Sequence, residues 1–192
     1  VATQIERSTK MRARLLRATV RCLLQLGYTR TSTTEVCRRA KVSRGAQLHH
    51  FPTKAELVAA AVEQVFLDRM TELATLIERL GEGALDTRTV FDHLWAVYKG
   101  EAFYAWLELV VAARTDASLR QHVRAVDARF TRRAEAMCGA ALGAKLHDAK
   151  EVPRVTRLVL ATFDGLAMHR ILVEDDKAAR EVLGLLARRR PG

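Results

Sequence analysis

Between Val42 and Leu57 the chain reads VSRGAQLHHFPTKAEL, placing a guanidinium (Arg44), a primary amide (Gln47) and two adjacent imidazoles (His49, His50) in one short run. Imidazoles serve as metal ligands and as general acids or bases, so those chemistries come first. Neighbouring residues on a helix point about 100° apart, which suits His49 and His50 poorly for sharing an ion. None of the six histidines falls in a His-Glu-Xaa-Xaa-His pattern. GAALGAK, at 139–145, is faintly similar to a phosphate-binding loop, but it is one residue short between glycines, has Leu146 where a hydroxyl is needed and follows no strand. The sequence has no nucleophile elbow and no glycine-rich dinucleotide fingerprint. Cys22, Cys37 and Cys138 are odd in number, far apart and free of metal or redox spacing, so reduced, packed thiols are expected. These features point away from an enzyme and call for no metal and no cofactor.

The same side chains suit the reading of a duplex. Arg44 can donate two hydrogen bonds to guanine, Gln47 can pair with an adenine edge, and His49 and His50 can reach bases or phosphates. The charge is distributed accordingly. Residues 1–54 carry twelve Lys or Arg against only Glu6 and Glu35, while residues 55–192 carry twenty basic and twenty acidic residues, so the whole net charge of +10 lies in the first quarter. An excess confined to one small region is the electrostatic footprint of a polyanion binder. Anionic lipid is the competing partner, but it calls for exposed bulky apolar residues, and the segment around Arg44 has too few. No apolar run approaches membrane-spanning length, and VATQIERSTKMRARLL lacks the apolar core of a leader, so a cytoplasmic protein without a membrane partner is expected.

Which elements would hold these side chains? Leu16, Val20, Leu23 and Leu24 recur at helical spacing from Arg12 to Leu26, and Gly27 supplies a left-handed stop. Ser32 and Glu35 form a capping box for a helix about two turns long, and Ser43 caps a third that Pro52 ends near His50. Thr53 and Glu56 make a further capping box, opening a long amphipathic helix through Leu57, Val58, Val65, Phe66, Leu73 and Leu76 to Gly81 and Gly83. Two short helices joined by a tight turn in a basic three-helix unit have the form of a helix-turn-helix, whose second helix enters the major groove. The amides opening the next helix, with Lys54, would clamp a phosphate.

The run STTEVCRRAKVSRGAQLHHFPTKAEL resembles the DNA-binding segment of the TetR family of bacterial transcriptional regulators, with a Ser-Xaa-Gly turn, an aromatic-Pro-Xaa-Lys stop and a long fourth helix in the same order. The likeness covers roughly residues 10–60. It implies a DNA-facing set of Thr33, Thr34, Ser43, Arg44, Gly45, Gln47, Leu48, His49, His50 and Lys54. Two positions depart from the family pattern: Gln47-Leu48 stands where Leu-Tyr is frequent, and Lys41 replaces a turn glycine. The family implies double-stranded DNA with a palindromic operator, a small-molecule effector and a homodimer, hence a repressor released by an apolar or aromatic ligand. The division expected is a helix-turn-helix domain over 1–54 and a helical effector-binding and dimerisation domain over 55–192.

The rest of the sequence independently reads as all-α, with amphipathic segments near 87–98, 101–113, 116–139, 152–173 and 177–189, about nine helices in total. Leu119, Val123, Val126, Phe130 and Met137 trace one helical face; Val155, Leu158, Val159, Thr162 and Leu166 trace another. Val182, Leu183 and Leu186 add a stripe that, with the preceding helix, resembles the family's four-helix dimer bundle. Six of the aromatics fall within residues 91–106, and Trp95, Tyr98, Phe103, Trp106 and His93 are the expected ligand contacts, with plain core packing the competing role. A DNA-organising or partner-binding protein on the same scaffold, without an effector, is the second reading.

Overall fold

Every regular element that the computed structural model describes is an α-helix; residues 3–80, 87–142, 148, 150–173 and 175–188 are described. The helices are α1 (Gln4–Arg30), α2 (Thr33–Ala40), α3 (Arg44–His50), α4 (Lys54–Leu80), α5 (Thr87–Tyr98), α6 (Glu101–Ala113), α7 (Ala117–Leu142), α8 (Glu151–Val173) and α9 (Lys177–Arg188). The expected stop at Gly81 and Gly83 lies outside the described residues. The chain divides into two compact units, Val1–Leu67 with Tyr104–Asp127, and Asp68–Phe103 with Ala128–Gly192.

In the first unit α1 begins two turns earlier than its apolar spacing indicated. Thr3 Oγ1 accepts from the Glu6 amide at 3.2 Å and Glu6 Oε2 from the Thr3 amide at 3.0 Å, a reciprocal cap followed by a polar stretch with no apolar rhythm to read. Gly27 takes φ +71° and breaks the helix as expected. It is needed a second way, because a Cβ there would stand 3.0 Å from the Glu108 carboxylate.

Ser32 caps α2, its Oγ accepting from the Glu35 amide at 3.1 Å. The other half of the expected box is absent. Glu35 turns instead to Arg38, at 2.7 and 2.8 Å, and to Arg39 at 2.6 Å, and these bonds hold its carboxyl down to about 2. Two guanidinium forks outcompete one backbone amide for the same oxygens. Lys41 adopts the left-handed conformation, φ 51° and ψ 51°. Arg14 bridges this turn, one Nη2 donating to the carbonyls of Ala40 and Lys41 at 2.5 and 2.8 Å. Ser43 Oγ then accepts from the Ala46 amide to start α3, and Thr53 Oγ1 from the Glu56 amide to start α4. Beneath these turns Leu15, Leu16, Cys22, Val36, Ala40, Phe51, Leu57 and Ala61 form one apolar core. Burial raises the Cys22 and Cys37 thiols above their usual range, in keeping with inert, packed cysteines.

The second unit is built around Phe163. Its ring is fully buried, with centroids 5.7 Å from Phe91, 6.4 Å from Trp95 and 5.2 Å from Tyr98. At one end Asp176 accepts from Lys99 and Arg170, both at 3.1 Å; burial pushes its carboxyl up, but these bonds outweigh it and hold it below the usual range. On α8 the buried positions are Thr156, Phe163 and Ala167. The face expected from Val155 and Leu158 therefore does not make the core, and Leu158 is 58% exposed. Leu158, Ala161, Gly165, Met168 and Leu172 instead line an outward stripe at alternating spacings of three and four. The face expected on α7 does pack, with Leu119, Val123 and Val126 buried, whereas Leu183, of the α9 stripe expected at a dimer bundle, is already buried in the single chain.

Candidate nucleic-acid interface

A short helix fenced by a serine cap and a proline can present only a few side chains, and α3 turns most of its polar ones outward. Arg44, Gly45, Leu48 and His49 are exposed and His50 is half-buried, its ring centroid 5.5 Å from that of His49. Arg44 Nη1 donates to Thr33 Oγ1 at 2.6 Å and more weakly to Thr34 Oγ1 at 3.4 Å. The start of α2 and the start of α3 thus form one surface of hydroxyls, a fixed guanidinium and the Ser43 cap. This is the arrangement a helix-turn-helix needs: a backbone-contacting first helix beside a base-reading second one. Nothing of the chain lies within 4 Å of where a Gly45 Cβ would be, so this surface is open at its centre. Leu48, 44% exposed, offers an apolar contact of the kind a thymine methyl accepts.

Two members of the expected set are placed otherwise. Gln47 is 0% exposed, its Nε2 donating to the Phe51 carbonyl and its Oε1 left without a partner, so it supports the end of α3 and does not face a base. At seven residues, α3 needs an inward anchor, and position 47 is on its inner side. Lys54 Nζ donates to the Tyr28 carbonyl at 2.7 Å and lies 4.0 Å from the Tyr28 ring centroid. Burial pushes the Lys54 ammonium below its usual range, with nearby Asp116 acting the other way. The structure therefore places the Lys54 ammonium against Tyr28, beside the start of α4.

The same corner joins residues that no local pattern would pair. Tyr28 OH donates to Asp116 Oδ2 at 3.0 Å, and the Tyr28 amide to Glu108 Oε2 at 2.9 Å. Asp116 Oδ1 also caps α7, accepting from the Leu119 amide at 2.9 Å; that bond first, and the tyrosine second, hold its carboxyl below the usual range. Burial and the bond to Asp116 push the Tyr28 phenol up to about 12. Asp116 was readable as a helix start. Its tyrosine partner, 88 residues earlier, had no local signal.

The expected ligand contacts are divided between the two units. Trp95, Tyr98 and Phe103 are buried in the second unit, the last two with ring centroids 5.6 Å apart. Trp106 belongs to the first unit, its ring 5.5 Å from that of Phe66. His93 lies on the exposed side of α5, its Nδ1 2.8 Å from the Thr89 carbonyl one turn back. The Trp95 indole N–H is near enough to Asp176 to favour its ionised form, yet falls outside hydrogen-bond geometry and is buried without a partner. Among the described residues, no group of three or more His, Cys, Asp or Glu could hold a metal ion, and no helix is long and apolar enough to cross a membrane.

Known proteins share this organisation. Residues 15–61 match the model of bacterial regulatory proteins of the tetR family, and residues 99–189 match that of the C-terminal part of BetI-type transcriptional repressors. An uncharacterised HTH-type transcriptional regulator of Mycobacterium tuberculosis is 29% identical over 171 residues, 88% of this chain and 86% of that protein. The structure of a TetR-family member from Streptomyces coelicolor superposes with a TM-score of 0.65 at 27% identity, covering 92% of this chain and 97% of the other. The multidrug binding protein EbrR, in complex with imidazole, has the same fold, with a TM-score of 0.62 at 24% identity and 91% and 93% of the two chains covered.

Proposed function

As the chain belongs to the TetR family and is a DNA-binding transcriptional regulator, not an enzyme, we propose that it acts as a homodimeric repressor that a small apolar or aromatic ligand releases from a two-fold symmetric operator. The observation that carries the DNA half is the outward α3 surface, with Arg44 tied across to Thr33 and Thr34. Residues 1–54 hold that surface, and residues 55–192 bind the effector and dimerise. In support of the dimer, the α8 stripe of Leu158, Ala161, Gly165, Met168 and Leu172 has the three-four spacing of a helix-packing seam, and Leu172 is 82% exposed. Small residues at its centre allow close approach, since nothing lies within 4 Å of a Gly165 Cβ. The repressor sign is supported by the BetI-type match over 99–189, and the effector by the ligand-binding relative of the same fold. The buried, unpartnered Trp95 N–H is a donor an effector could engage beside Tyr98 and Phe103.

For release, the effector must prefer the non-binding state by several kcal/mol, about 5.5 for a near-complete switch. Selection of sites from a random duplex library at fixed salt tests the first half, and a two-fold symmetric motif is expected. Titrating candidate apolar ligands into the protein–operator complex tests the second. Operator affinity unchanged at saturation by a ligand shown to bind would refute the switch, and a DNA-organising role would then stand.

A further inference from the structure

On α1 the residues Arg7, Lys10, Arg14, Arg17 and Arg21 follow one another at spacings of three and four, so all five lie on one side of the helix. All five are exposed, and the side opposite, with Leu15, Leu16, Thr19 and Leu23, is buried. A solvated helix face usually mixes signs, because cations at these spacings repel and destabilise the helix while interspersed acids relieve them. Here Arg7, Lys10, Arg17 and Arg21 meet no carboxylate among the described residues; Glu6, the acid nearest in sequence, is engaged in the cap with Thr3. Arg14, at the centre, is fixed to the Ala40 and Lys41 carbonyls in the turn that leads into α3. The ridge is therefore tied to the turn that leads into the recognition helix. Its length from Arg7 to Arg21 is about 21 Å at the rise of an α-helix, close to six base pairs of duplex.

We propose that this α1 ridge is a second DNA contact, binding without regard to sequence along the phosphate backbone that flanks each half-site. It rests on the reading of α3 as the operator-reading helix. Charge complementarity and attachment to the α2–α3 turn favour duplex DNA over other polyanions, and the ridge has no bulky apolar residue with which to enter a lipid surface.

The test compares the full-length wild type with R7Q/K10Q/R17Q/R21Q, and with R7K/R17K/R21K, which keeps every charge. Affinity is measured against salt on the selected operator, once trimmed to its core and once with about ten flanking base pairs on each side. On the flanked duplex the glutamine variant should lose about two or more units of the slope of log K against log salt, while the lysine variant keeps it. On the trimmed core all three should share one slope, and preference for operator over scrambled duplex should be unaltered. A wild-type slope in the glutamine variant on the flanked duplex overturns the proposal. So would sedimentation of the wild type, but not the glutamine variant, with phosphatidylserine vesicles when the DNA slope is unmoved; the ridge would then be a membrane contact. If the wild type shows no preference for any duplex, the operator-reading role of α3 fails together with the ridge, whereas specific binding with an unmoved slope fails the ridge alone. Thermal melting separates these outcomes from misfolding, since the four side chains are exposed and the glutamine variant should unfold no earlier than the wild type.

Discussion

The outer faces of α1 and α8 have the same geometry and opposite chemistry. Each is five residues long at spacings of three and four, but one reads Arg, Lys, Arg, Arg, Arg and the other Leu, Ala, Gly, Met, Leu. Neither is what water alone would select. A cationic ridge without acids repels itself, and an exposed apolar stripe leaves on the order of 25 cal/mol unrealised for every Å² it fails to bury. Each face therefore carries an energetic cost that a partner of matching chemistry would lift, a polyanion for α1 and another apolar helix face for α8.

Breaking α8 on its buried side, and only there, should have the largest effect. Phe163→Ala removes the ring against which Phe91, Trp95 and Tyr98 pack and should cost about 3–5 kcal/mol in denaturant unfolding. Leu172→Ala, on the outer side of the same helix, should stay within about 0.5 kcal/mol for the isolated subunit. Equal losses would mean that the outer face is part of a core after all. The next effect is on assembly. Leu158→Glu with Leu172→Glu should leave the subunit folded, shift sedimentation from dimer to monomer and weaken operator binding by about 10²-fold, because the two half-sites are then no longer bound as one. A dimer that survives both charges would move the interface elsewhere. A smaller effect is expected at the reading surface. Arg44→Ala should lose about 1–3 kcal/mol on the operator and relax the choice of base it contacts, and a loss shared equally by scrambled duplex would reassign Arg44 to the backbone.

How far the sequence already carried this structure depends on the range of each interaction. Ser43, Pro52 and Thr53 act within a few residues of themselves, and α3 stands where they placed it. Val36 and Ala40 on α2, and Leu119, Val123 and Val126 on α7, pack as their spacing required, because one apolar stripe on each helix leaves one choice of face. On α8 there were two apolar stripes, and periodicity alone cannot say which meets its own chain and which is left for another. Glu35 and Lys54 went astray for a common reason: each had two or more possible partners, and the choice was made by atoms brought in from elsewhere, Arg38 and Arg39 in one case and Tyr28 in the other. The aromatic run at 91–106 crosses from one compact unit into the other at Phe103–Tyr104, a division that no local spacing announces.

Gln47 gives the finest test of the difference between reading surface and support. The sequence marked it as a departure from an apolar family position, and the structure buries it completely with one amide group bonded to the Phe51 carbonyl and the other atom unpartnered. Gln47→Leu removes the unpartnered oxygen, a stabilising change, and also leaves the Phe51 carbonyl without its donor, a destabilising one. Each is worth about 1–3 kcal/mol, so they largely cancel and the net shift should be within about 1 kcal/mol. The motif selected from a random duplex library should be unchanged, because a side chain that never reaches the surface cannot choose a base. Were the variant to fold as well as the wild type but select a different base at one position, Gln47 would have to rotate outward on DNA, and α3 would read the groove in a conformation other than the one it holds here.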